Sequence, residues 1–245
     1  IKGMQLYWDD AYSRKIQNYI SLTISGEEGY HPNVTISDLG EGQTPHNLAG
    51  TILSLHAGNK EDIPFTQGKW NQGGSGAILH SGQDTGIALQ FVLTKRNPII
   101  LKKFKDERTK LQDNWSFTIL RRDKPKNPGE VSEAKYLCPI EDEDNNKTLP
   151  LNFSSNEMPI FADKGVQFAK NSDHGTLIIL YEYKLARNNN SIRGDGSLYR
   201  QLDLQMPKLP LPIRIHETRK KFQSKAEQSL TMRGFSNFQE NQFIK

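Results

Sequence analysis

Residues Ser37–Gly42 read S-D-L-G-E-G and close a short β-branched run, Asn33–Ser37 (N-V-T-I-S). A carboxylate at a strand end, followed by glycines at alternate positions, makes a specific kind of surface. Asp38 can accept a hydrogen bond from an exocyclic amine, while Gly40 and Gly42 let the backbone pass close to a flat ligand without side-chain clash. Upstream, residues 16–24 (I-Q-N-Y-I-S-L-T-I) read as a second strand, joined to the first through the turn G-E-E-G. Downstream, Leu48, Ile52 and Leu55 fall at helical spacing, so a helix is expected over Asn47–His56. Thr44 or His46 begins it, Pro45 is tolerated in its first turn, and Gly58 ends it.

Two further elements share this chemistry. Gly68–Gly76 reads G-K-W-N-Q-G-G-S-G, part of a set of six glycines (Gly58, Gly68, Gly73, Gly74, Gly76 and Gly82) without periodicity. That composition predicts a mobile loop leading into a short helix, S-G-A-I-L-H-S. Gly73, Gly74 and Gly76 would expose backbone N–H groups that cradle phosphate oxygens, with Lys69 as a charge partner. The pattern lacks the Lys-Ser/Thr of the common phosphate loop. Later in the chain Gly175-Thr176 opens the apolar run L-I-I-L-Y-E-Y, where a strand-start hydroxyl can hold a water against an adenine-like edge. Other strand-like runs lie at Gly86–Thr94, Trp115–Arg121, Tyr136–Ile140 and Gly175–Leu185, separated by polar excursions at Lys102–Asn114 and Asp123–Glu133. Strands thus predominate over helices, which favours an α+β two-layer sandwich with a mixed, mainly antiparallel sheet backed by helices.

Composition narrows the class. The 245 residues are enough for one large domain or two small ones, and 35 % apolar with 24 % charged residues is a soluble globular balance. No stretch approaches the ~20 apolar residues of a membrane helix, so no membrane partner is expected. The single cysteine, Cys138, excludes an internal disulfide framework and places the chain in a reducing, cytoplasmic compartment. The net charge of +4 is concentrated at the end: from Arg214 onward seven Lys/Arg stand against three Glu. The expected division is a domain over residues 1–213 and a basic C-terminal tail over 214–245, joined through the stiff stretch P-K-L-P-L-P. Phe222, Phe235, Phe238 and Phe243 are interleaved with the basic residues, a combination suited to stacking bases and neutralising phosphates. A nucleic-acid-associated interaction protein is therefore the competing reading. The chain opens with Ile1 and has its first methionine at Met4, which suggests a fragment.

Other chemistries find no support. The six histidines show no metal-ligand spacing, so neither metal ligands nor catalytic residues are assigned. Cys138 in Y-L-C-P reads as a small core residue, no G-x-S-x-G elbow occurs, and the acidic run Glu141–Asp144 reads as a solvated turn.

The order Asp38-x-Gly40-x-Gly42, glycine box Gly68–Gly76, Gly175-Thr176 resembles the GHKL superfamily of ATP-binding proteins over roughly residues 17–185. That group includes the B subunit of gyrase, the ninety-kilodalton heat-shock chaperone, sensor histidine kinases and the MutL mismatch-repair proteins. The resemblance implies a Bergerat-type fold, with Asp38 as the adenine-binding aspartate and a lid opening at Ala57–Lys60 and closing at Gly68–Gly76. It further implies that Asp38, Gly40, Gly42, Lys60, Lys69, Gly73, Gly74, Gly76 and Thr176 bind ATP with magnesium. Lid closure would drive pairing of two copies or signalling to a partner domain in a larger ATPase; a non-hydrolysing scaffold is the remaining alternative. One family element has no counterpart. The helix with E-x-x-x-N that supplies the general base and the magnesium-holding Asn is missing: Asn18 precedes Asp38, but Arg14 occupies the position four residues before it. ATPase activity is expected only if that helix is supplied upstream.

Overall fold

The computed structural model describes residues 20–48, 50–51, 72–103, 112–123, 125, 127, 129–130, 132–138, 140–142, 147–161, 171–185, 197–206, 209, 211, 213–220, 229–232 and 234. Its strands are β1 (Ile20–Ser25), β2 (Asn33–Asp38), β3 (Ile87–Lys95), β4 (Trp115–Asp123), β5 (Ala134–Tyr136), β6 (Ile140–Asp142), β7 (Lys147–Leu149), β8 (Leu151–Phe153), β9 (Gly175–Leu180), β10 (Ile213–Glu217) and β11 (Ser229–Met232). The helices are short: α1 (Pro45–Leu48), α2 (Gln72–Ala77, continued by a 3-10 turn over Ile78–His80), α3 (Pro98–Lys103) and α4 (Leu198–Gln205).

One sheet runs in the order β11-β10-β1-β2-β9-β3-β4-β5, and β8 pairs with the first residues of β4. Every pairing in it is antiparallel except β1 with β10, so the sheet is mixed and mainly antiparallel, as the sequence leads one to expect. Because side chains alternate along a strand, the register assigns them to faces. One face carries Ile24, Val34, Ile36, Ile178, Leu180, Val92 and Leu120 in cross-strand registration. Leu48 of α1, Ile78 after α2 and Leu198 and Tyr199 of α4 pack onto that side. The opposite face holds Leu93, Trp115, Phe117 and Phe153, closed over by Met158, Ile160 and Phe161. The architecture is α+β, with a helical layer thinner than expected.

Differences at element ends have local causes. Thr44 is the start of α1: its carbonyl accepts from the Asn47 and Leu48 amides, and Pro45 takes the first helical position where no N–H is needed. The helix expected over Asn47–His56 is shorter: it ends at Leu48, and Gly50 and Thr51 form a turn in which the Thr51 hydroxyl donates to the Asn47 carbonyl at 2.7 Å. Residues 52–56 and Gly58 lie outside the described residues. The run Tyr136–Ile140 splits between β5 and β6, which belong to different sheets; Pro139 supplies no N–H to a ladder there. Glu141 and Asp142 accordingly lie in the β6–β7 ribbon. Gly175–Leu185 ends early as a strand, because Glu182 adopts a φ of 49° and turns the chain out of the extended conformation.

The boundary expected after residue 213 falls inside β10. The side chains of Ile213–Glu217 show why: I-R-I-H-E alternates, Ile213 and Ile215 join the cluster with Leu22, Leu209 and Met232, and β10 pairs in parallel with β1. Arg214 bonds Thr231 across β11, and Arg219 holds Glu217 through two ring-forming contacts of 2.8 Å, so two of the tail's seven basic residues are engaged within the fold. The four tail phenylalanines lie outside the described residues. Helix α4 has a sequence signal of its own, Ser197, whose hydroxyl accepts from the Arg200 amide as an N-cap.

Candidate functional site

The ends of β2 and β3 and the start of β9 lie side by side at one end of the sheet, and their side chains here face the helix-bearing side. Asp38, the last residue of β2, is the direct cross-strand partner of Thr176 in β9, and Thr176 is in turn the partner of Thr94 in β3. Residues remote in sequence therefore present a carboxylate and two hydroxyls in one row. Thr94 and Thr176 are buried, and Asp38 is half-buried. The Asp38 Oδ1 accepts from the Gly40 amide at 2.8 Å, turning the chain away from the strand.

The loop after Asp38 is clamped by the residues at the end of β3. Gln43 donates its amide to the Thr94 hydroxyl at 3.0 Å, and the Asn97 amide donates to the Glu41 carbonyl at 2.8 Å. Arg96 Nη1 reaches both the Glu41 carboxylate (2.9 Å) and the Gly42 carbonyl (3.0 Å). Asn97 also caps α3 through Oδ1, which accepts from the Ile99 amide at 2.9 Å. Its Nδ2 faces His174 Nε2 at 3.1 Å, and since an amide nitrogen only donates, that ring nitrogen is the acceptor. The His174 proton then lies on Nδ1, directed at Asp173 Oδ1, 2.6 Å away. The Asp38 loop, the β3–α3 junction and the approach to Gly175 are thus one bonded unit.

Two glycines of the pattern are fixed by backbone packing. Gly42 has a φ of 61°, and a Cβ placed there would stand 1.8 Å from the Lys95 carbonyl oxygen. Gly175 has a φ of 122°, and its Cβ would lie 2.3 Å from the Asp38 carbonyl. Gly40 is different: it is exposed, and the nearest atom to a Cβ there is the Asp38 Oδ1 itself, at 2.8 Å. The glycine box also departs from the expected loop. Gly73 and Gly74 lie within α2, which starts at Gln72 rather than at the expected Ser75, and Gly76 lies in it as expected; nothing stands within 4 Å of a Cβ at Gly73 or Gly76. Glycine disfavours a helix interior; what holds these turns against the sheet is Ile78, 2 % exposed, immediately after them. Lys60, Lys69 and the lid opening Ala57–Lys60 lie outside the described residues, as does Asn18.

Sequence reasoning missed Thr94, Arg96, Asn97 and His174. Asn97-Pro98 before an apolar run carried a helix-start signal, and Thr94 is a polar residue on a face otherwise shared with Val92. Burial pushes the Cys138 thiol above its ordinary range, which disfavours the reactive thiolate. Among the described residues no group of three or more His, Cys, Asp or Glu could hold a metal ion.

No protein-family profile matches the chain, and no curated protein matches it in sequence. Among solved structures, it aligns with the topoisomerase IV ATP-binding domain of Francisella tularensis in complex with a small-molecule inhibitor, with a TM-score of 0.37 and 13 % identity. That alignment covers 98 % of this chain and 52 % of the other, so the chain spans about half the length of that structure.

Proposed function

We propose that the chain is an adenine-nucleotide-binding module of the GHKL type. The observation that carries this reading is the cross-strand pairing of Asp38 with Thr176 at the site end of the sheet, beside a loop that requires glycine at 42. Asp38 accepts from the 6-amino group, Thr176 holds a water against the ring nitrogen, and Gly40 keeps the rim of the pocket open. At the phosphate end the candidates are Lys60, Lys69, Gly73, Gly74 and Gly76, under a lid that closes on the nucleotide. Magnesium fits no cluster among the described residues, so the phosphates and water would carry it. The wider role we infer is nucleotide-driven pairing or partner signalling within a larger cytoplasmic ATPase, with hydrolysis dependent on a Glu–Asn helix.

Thermal unfolding with ATP and magnesium tests the reading. At ~100 times its dissociation constant ATP should add about 2.7 kcal/mol, which for a chain of this size is a midpoint rise of roughly 5–10 °C. Asp38→Asn keeps an oxygen for the Gly40 amide, so the turn and the ligand-free midpoint should survive, yet it turns an N–H₂ toward the 6-amino group. The rise should disappear in that variant. A folded Asp38→Asn protein with an undiminished rise would refute the assignment.

A further inference from the structure

We infer that Thr94 is a positioning residue that fixes the direction of the Thr176 hydroxyl proton and thereby the purine edge the pocket accepts; this rests on the nucleotide reading above. Thr94 is 0 % exposed and so meets no ligand itself. Its Oγ1 has three neighbours: the Gln43 amide at 3.0 Å, the Gly175 carbonyl at 3.1 Å and Thr176 Oγ1 at 3.1 Å. A threonine hydroxyl owns one proton and two lone pairs. The amide only donates and the carbonyl only accepts. All three contacts form together under a single assignment. Thr94 gives its proton to Gly175, accepts from Gln43, and spends its second lone pair on the proton of Thr176. Thr176 is then an acceptor on its remaining side, next to the Asp38 carboxylate, another acceptor.

Two acceptors side by side select a base edge. A 6-amino group donates to Asp38, and a water gives one proton to Thr176 and the other to the unprotonated ring nitrogen. A 6-oxo purine sets an oxygen against the carboxylate and a ring N–H where the water's proton must go. Discrimination of this sort, resting on mismatched buried polar groups, exceeds what apolar shape supplies. Removing the Thr94 hydroxyl frees the Thr176 proton. The carboxylate beside it on the same sheet face becomes an available acceptor, and the 6-amino group must compete for it.

The test is calorimetric binding of ATP and of inosine triphosphate to the full chain and its Thr94→Val, Thr94→Ser and Thr176→Val variants. The unaltered chain should prefer ATP by about tenfold or more; Thr94→Val should weaken ATP about five- to tenfold and inosine triphosphate less than about twofold. Thr94→Ser, which restores the hydroxyl, should restore the preference. Loss of the Gln43 anchor alone would weaken both nucleotides alike, so an unchanged ratio in Thr94→Val overturns the positioning role. If Thr94→Val does not fold, an unchanged ratio in Thr176→Val overturns it equally. Absence of ATP binding by the unaltered chain overturns the nucleotide reading itself, and this inference with it. ATP binding by the unaltered chain with an intact ratio in Thr94→Val or, failing its folding, in Thr176→Val overturns this inference alone.

Discussion

Gly175→Ala should cost about 3–5 kcal/mol of stability and remove nucleotide binding with it. The glycine's φ of 122° is denied to alanine, and the added Cβ would stand 2.3 Å from the Asp38 carbonyl oxygen and 2.8 Å from the Ile160 side chain. The first of those neighbours is backbone in the central pairing of β2 with β9, so it cannot swing aside without breaking register. Gly42→Ala should behave alike, because its Cβ would meet the Lys95 carbonyl at 1.8 Å and drive the Asp38 loop off β3. Urea unfolding of the two variants measures this; a loss under about 1 kcal/mol in either would show that the approach relaxes easily. The glycines of α2 give the opposite expectation. Gly73→Ala and Gly76→Ala meet nothing within 4 Å and sit in a helix, so each should stabilise by roughly 0.5–1 kcal/mol. If their backbone N–H groups do hold phosphate oxygens at close range, ATP affinity should nonetheless fall, about tenfold, as stability rises. Stability and affinity moving in opposite directions separates a binding glycine from a folding one. Affinity unchanged in both would take these two residues out of the site and leave the Asp38 end standing.

How much of this was legible in the sequence follows from what each signal depends on. Asp38, Gly40 and Gly42 stand out because a carboxylate and alternate glycines after a β-branched run are a local pattern, and the strand does end at Asp38. That Thr176 lies opposite Asp38 is a fact of long-range pairing, which no local periodicity encodes; only the resemblance joined the two. Thr94 was invisible for the same reason: its importance comes from three partners contributed by other segments. β10 looks like part of a tail in composition because its charges mask its alternation. Arg214, His216 and Glu217 look like a solvated basic segment in composition, yet each is at most 5 % exposed. The three-residue strands β7 and β8 carry too few side chains for any period to show.

Acid should destabilise the fold through one of those buried β10 residues. His216 is 1 % exposed, and burial, with the Arg214 guanidinium beside it as the smaller cause, lowers its pKa from 6.5 to about 4. The unfolded chain therefore takes up a proton on this residue below about pH 6.5, while the folded chain does so only near pH 4. Stability is thus complete above pH 6.5 and is lost as the pH falls toward 4, the unfolded state binding more protons throughout that window. The full shift corresponds to roughly 3 kcal/mol, of which about 2 kcal/mol should be gone by pH 5, where most carboxylates are still ionised. The charged and titratable groups nearest along the strand, Arg214 and Glu217, do not reverse the sign, since a second buried cation in β10 meets the first. Urea midpoints at pH 7.5 and pH 5 measure the slope, and His216→Gln, which keeps a polar side chain in the same strand, should flatten it by about the same 2 kcal/mol whatever its own cost in stability. A slope that survives intact in His216→Gln would assign the acid lability elsewhere. If the slope goes with the histidine, β10 is shown in solution to be interior to the domain, and the sheet that aligns Asp38 with Thr176 has it as one of its supports.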